Sequence, residues 1–130
     1  MKLHPNIAIV RRFYQAFISR DLSTIWSIAG DDLAFHVPGR SKWAGAHRGR
    51  EQILRLFTQL GSETERSVHM TIHDIVGGDQ HVVGLHRVTA ARAGRALDIN
   101  GTATCHVENR KIIEIWLNWQ SQRAFDEFWE

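Results

Sequence analysis

The chain has 130 residues, 43% of them hydrophobic and 23% charged, with a net charge of +2. That length fits one domain able to bury a core, and the charge balance is ordinary for a globular protein. The Lys and Arg residues are scattered rather than clustered, which argues against a nucleic-acid surface, and the one cysteine, Cys105, excludes an intrachain disulfide or a thiolate metal cluster. No run of about 18 apolar residues is present, so no membrane span is expected. The N-terminus meets Arg11 and Arg12 too early for a signal-peptide core. The expectation is a soluble cytoplasmic protein.

Residues 5–20 place Ile7, Val10, Phe13, Tyr14, Phe17 and Ile18 on one helical stripe, with Pro5 where a first helical turn tolerates it. Asp21 then reads as the N-cap of a short second helix carrying Leu22, Ile25 and Trp26 and stopped at Gly30. The stretch LAFHVPG (33–39) reads as a strand, and RSKWAGAHRG as a loop leading to a third helix from about Arg50 to Leu60. From there the period changes from helical to alternating. Residues 67–77, 80–92, 95–108 and 111–120 read as four strands joined by tight turns at Gly78-Asp79, Ala93-Gly94 and Asn109-Arg110. Three helices followed by an antiparallel meander define an α+β fold with the helices on one face of the sheet.

Two-residue hairpin loops would pair Gln80 with Gly77, Arg95 with Arg92 and Lys111 with Glu108. Under those registers one face collects His69, His73, Gly84, His86, Gly101, Ala103, Cys105, Trp116, Asn118 and Gln120. Small residues at its centre and polar groups around them suit a ligand pocket. The opposite face, with Val83, Leu85, Ile113, Ile115 and Leu117, is largely aliphatic and suited to packing on another surface.

Three stretches carry a resemblance: FHVPGRSKWAGAHRGREQILRLF (35–57), VVGLHRVTAARAGRALDINGTA (82–103) and RKIIEIWLNWQSQRAFDEFW (110–129). The chain resembles SnoaL-like polyketide-cyclase relatives of the nuclear transport factor 2-like superfamily over nearly its whole length. The markers are VPG…AG…RG before a helix and K-I-x-E-x-W on the last strand. The resemblance implies a cone, a curved antiparallel sheet wrapped around N-terminal helices with a pocket at its open end. It also implies a homodimer through the outer sheet face. Enzymes of this kind keep a pocket carboxylate as general acid/base, in many sequences four residues after the last-strand tryptophan. Here that motif reads WLNWQ, so Gln120 holds the position, and a glutamine amide exchanges no proton near neutral pH. Tyr14, the one tyrosine, lies on the first helix, where the related isomerases could keep a phenol donor.

With the carboxylate missing, histidine is the remaining base: His86 first, because it faces Gly101 beside Asn118, then His73, His69 and His36. His69 and His73 share a face but stand about 13 Å apart along a strand, too far to chelate one zinc. A cross-strand pair such as His73 with His86 stays open, and no metal or cofactor is assigned. Cys105 reads as a small buried hydrophobe.

The expected site therefore comprises His86 as the catalytic residue, with Tyr14, His36, Trp43, His73, Trp116, Asn118 and Gln120 as binding residues. The expected ligand is a small hydrophobic, ring-bearing molecule. Two functions fit: a cofactor-free isomerase or cyclase-type enzyme, or a non-catalytic ligand-binding or dimerisation module on the same scaffold.

Overall fold

The computed structural model describes residues 3–130. Helix α1 (Pro5–Ser19) begins with Pro5 in its first turn, and the His4 ring nitrogen accepts the Asn6 backbone N–H. It ends at Arg20, whose left-handed backbone lets its N–H reach the carbonyls of Ala16 and Phe17. Asp21 caps α2 (Leu22–Ile28) by accepting the Thr24 N–H. Strand β1 (Ala29–Val37) starts four residues earlier than its apolar run suggests, and a short β2 (Gly45–Arg48) forms inside the expected loop. Helix α3 (Gly49–Glu63) follows, running past Gly61, then β3 (His69–Gly77), β4 (His81–Arg92), β5 (Arg95–Glu108), β6 (Lys111–Trp119) and a terminal helix α4 (Gln122–Phe128).

The six strands lie in the order β2-β1-β6-β5-β4-β3. The last four form the expected meander, while β1 joins it by pairing parallel to β6. At the β4–β5 turn Ala93 and Gly94 take positive φ, and at the β5–β6 turn Asn109 and Arg110 do, the geometry of tight two-residue hairpins. Arg92 duly pairs with Arg95 and Glu108 with Lys111, but at the β3–β4 turn Gly77 pairs with Val82 rather than with the expected Gln80, so that turn is longer than two residues.

Two β-bulges then change which side chains share a face. On β6 the register shifts between the pairs Val107–Ile112 and His106–Glu114, so Ile113 is the extra residue. Ile115, Leu117 and Trp119 consequently lie opposite Cys105, Ala103 and Gly101, while Trp116 and Asn118 lie opposite Thr104 and Thr102. On β3 the shift falls between Ile72–His86 and Asp74–Leu85, leaving His73 as the extra residue. One inserted residue moves everything beyond it to the other side of a pleated strand.

The concave face, with Ile75, Val82, His86, Val88, Ile99, Ala103, Cys105 and Ile115, packs on Ile7, Val10, Phe13 and Tyr14 of α1 and on Ile53 and Leu56 of α3. Phe125, Phe128 and Trp129 at the C-terminus close this core. Helix α4 is held there by Ser121, whose hydroxyl accepts the Ala124 N–H.

Candidate functional site

The most polar point of the interior is a pair of rings. His86, on β4, is 2% exposed, and its Nδ1 lies 2.6 Å from the hydroxyl of Tyr14, itself 4% exposed, on α1. Two glycines make room on the sheet. A Cβ on Gly84 would stand 2.2 Å from the Tyr14 ring and hydroxyl, and one on Gly101 would stand 2.4 Å from the Trp119 ring. The small residues of the inner face therefore accommodate the protein's own aromatic rings, where the sequence suggested open space for a ligand.

Burial holds His86 neutral, lowering its pKa to about 4. Burial, and then the neighbouring Cys105 thiol, raise the Tyr14 hydroxyl well above its ordinary value, so it stays protonated. If the phenol donates to Nδ1, the one unpaired group is an N–H on Nε2. The reverse arrangement leaves both the phenol proton and the Nε2 lone pair unpaired. The first is favoured, because unpaired buried polar groups are costly. In that arrangement the His86 Nε2–H is a hydrogen-bond donor toward the interior.

Other donors share its situation. The Nε2 of His86 and the indole nitrogens of Trp43, Trp119 and Trp129 are all buried with no protein partner. Their rings form a chain: His86 and Trp119 are 5.5 Å apart by centroid, Trp119 stacks on Phe125 at 5.0 Å, Phe125 meets Trp129 at 6.4 Å, and Trp129 meets Trp43 at 5.3 Å. Among the described residues the buried polar side chains are Asn6, Thr64 and His86, so no buried carboxylate accompanies the donors.

Of the eight expected site residues, the structure brings three into this interior: Tyr14, His86 and Trp43. The other five lie elsewhere. His73 is the exposed bulge residue of β3. Trp116 and Asn118 are carried to the outer face by the bulge at Ile113. Gln120 is exposed, with its backbone N–H bonded to the Asn100 carbonyl and its side-chain oxygen accepting from the Asn100 amide at 3.3 Å. His36 lies opposite Trp116 on the parallel strand β1, stacks on its ring within 4° of parallel, and meets Glu114 at 2.6 Å. The one-residue slip accounts for Trp116, Asn118 and Gln120 together. His69 is also exposed, and no cluster of three or more His, Cys, Asp or Glu able to hold a metal occurs among the described residues.

Trp119 is an interior residue that the sequence analysis did not single out. Its signal was present in Gly101, whose missing side chain marks the close approach of a ring. Cys105 is buried with its thiol pKa pushed up to about 12, consistent with an inert small hydrophobe.

Two clefts open at the surface. One, of about 620 Å³, lies between α3 and the segment before it and includes Trp43, Leu56 and Arg55. The other, of about 430 Å³, lies along Arg87, Asp98, Asn100 and Gln120. Neither includes Tyr14 or His86; Trp43 alone belongs to both the first cleft and the ring chain.

A bent sheet wrapped on N-terminal helices, with a buried polar pair on its concave side, is an α+β cone of the nuclear transport factor 2-like, or cystatin-like, kind. Comparison with known proteins agrees. The model of the SnoaL-like domain matches residues 10–115, and the chain belongs to that family. Bal32a, from a soil-derived mobile gene cassette, is 35% identical, with 96% of each chain covered and a TM-score of 0.92. An uncharacterised protein of Mycobacterium tuberculosis is 25% identical over 95% of both chains. IdmH of Streptomyces antibioticus, described as a putative polyketide cyclase, shares the fold at 20% identity, with 90% of this chain and 93% of that one covered and a TM-score of 0.73.

Proposed function

We propose that this protein binds a small, largely apolar, ring-bearing molecule between α1 and the concave face by displacing aromatic rings packed there, oriented by hydrogen bonds from the His86 Nε2–H and the Trp119 indole to an oxygen of the ligand. The observation that carries this reading is the Tyr14–His86 pair, which fixes the imidazole with a donor unpaired beside a second unpaired donor. Buried donors without a partner are what a ligand oxygen would satisfy.

The neighbouring cyclases favour a second reading, in which the same contacts serve a reaction. A neutral imidazole N–H can polarise a carbonyl without transferring a proton, so an isomerase or cyclase-type step would use His86 as electrophile and Tyr14 as its positioning residue. No carboxylate base accompanies His86 in the interior. Gln120 has no part in either version, because it lies on the other side of the sheet. The outer face, with Val83, Leu85, Thr102, Thr104 and Trp116, is our candidate for a homodimer contact.

The test uses an aromatic ketone, 1-tetralone, followed by the indole N–H resonance of Trp119. Saturable movement of that resonance is expected, with binding weakened about fivefold in His86→Gln, the scale of one neutral hydrogen bond, and unchanged in Gln120→Ala. A Trp119 resonance that stays fixed, or a His86→Gln variant that binds equally well, would overturn the reading.

A further inference from the structure

The larger cleft carries chemistry that the interior does not. Its apolar floor is Trp43 and Leu56, which are 5% and 2% exposed. Around that floor the charged groups are mostly cationic, and His47 is held by its Nε2 at 2.7 Å from the Trp43 carbonyl. Lys42 and Arg55 bring positive charge, and Gln52, Gln59 and Ser62 bring amide and hydroxyl protons, against one acid, Glu63.

The pairing within this set leaves charge to spare. Glu63 is already engaged twice, by the Lys42 ammonium and by Arg92 at 3.8 Å, so two cations share one carboxylate. Arg55 has only Glu51, one helical turn earlier, at 3.5 Å, and that carboxylate is 90% exposed. A contact so long and so wet holds a guanidinium weakly. Gln52 is fixed by its oxygen, which accepts the Arg48 N–H at 2.8 Å and leaves the amide protons free. Lys42 lies over the Trp43 ring, 5.0 Å from its centre, so the ring's face is covered. The indole N–H of Trp43 is buried with no protein partner, at a residue that forms the cleft wall.

We propose that this cleft is a binding site for a small organic carboxylate. The guanidinium of Arg55 and the Gln52 amide receive the anionic oxygens, and the ligand's flat apolar part lies against Leu56 and the Trp43 edge. Arg55 is the residue to which the site owes its preference for an anion, since a guanidinium presents two parallel N–H groups to a carboxylate. Trp43 is the only residue shared with the interior reading. The cleft site therefore stands if 1-tetralone fails to bind, and falls on results that leave the Tyr14–His86 pair untouched.

Benzoate is the probe and benzamide, its uncharged counterpart, the control. Both are titrated into the full chain while the Trp43 indole N–H resonance is followed, with Trp43→Phe used to assign it. Benzoate should move that resonance saturably and leave the Trp119 resonance in place, with affinity falling as salt is added. Arg55→Gln should weaken binding about fivefold, Arg55→Lys should restore part of it, and benzamide should bind at least about fivefold more weakly than benzoate. Arg55 is an exposed helix residue, so neither variant threatens the fold. Equal binding of benzamide and benzoate, unchanged binding in Arg55→Gln, or no response to benzoate at concentrations on the order of 10 mM would each overturn the proposal.

Discussion

His86 concentrates the chemistry of the interior in one side chain. Its pKa is lowered from 6.5 to about 4 by burial, which means that the folded protein resists protonating it while the unfolded chain does not. Between those two values the unfolded state binds more protons, so stability rises with pH. The contribution is fully present above about pH 6.5, declines as pH falls, and is lost by about pH 4, a change on the order of 3 kcal/mol. Urea midpoints measured at pH 7 and pH 4.5 should separate for the native chain more than for His86→Gln, whose residue cannot titrate. Equal separation in the two proteins would show that His86 is not held neutral.

At the scale of elements, two of the three hairpin registers were legible, while the longer β3–β4 turn and the bulges were not. Ala93-Gly94 and Asn109-Arg110 sit between alternating runs, and turn chemistry of that kind sets the register next to it, which is why His86 lies opposite Gly101 as expected. The extra residues His73 and Ile113 are set in runs of β-formers, where nothing in the residue types marks them. Strand β2 escaped notice because GAHR is four residues long and has no alternation of its own. The helices were clear from their apolar stripes, although α3 continues through Gly61 because its last turn is capped by the Thr64 backbone N–H on the Leu60 carbonyl. A consequence of the β4–α1 packing can be measured. Gly84→Ala should destabilise the protein by about 2 kcal/mol in urea unfolding, the scale of overpacking, because its methyl would occupy the place of the Tyr14 ring. If stability is unchanged and the Tyr14–His86 bond survives, α1 does not seat its tyrosine on that glycine.

The whole molecule has two unlike surfaces of one sheet. The concave side is covered by helices and the C-terminal aromatics. The outer side is less aliphatic than the alternation alone suggested, because the bulge on β6 takes Ile115 and Leu117 inside and brings Trp116 out. What remains outside is Val83 and Leu85 beside His36, His81, His106 and Trp116, with His81 and His106 stacked at 4.9 Å. A homodimer formed there would be cemented more by ring stacking than by aliphatic burial. Sedimentation at micromolar concentration should give a dimer mass, and Trp116→Asp should shift it toward monomer by placing a desolvated charge at the contact. A monomer mass for the native chain would remove this face as a contact, and a dimer unaffected by Trp116→Asp would place the contact elsewhere.

The parallel pairing of β1 with β6 also sets the order in which the molecule can assemble. Phe35 lies beside Ile115, eighty positions along the chain, whereas the β4 and β5 partners meet across a turn of two residues. Closing so long a loop must wait until other contacts hold its ends together, so the β4–β5 hairpin is expected to nucleate and the β1–β6 seam to zip last. In pulse-labelled hydrogen exchange during refolding, amides of β4 and β5 would be protected first and those of β1 among the last. Strand β2, whose neighbour in the sheet is β1, would wait with it.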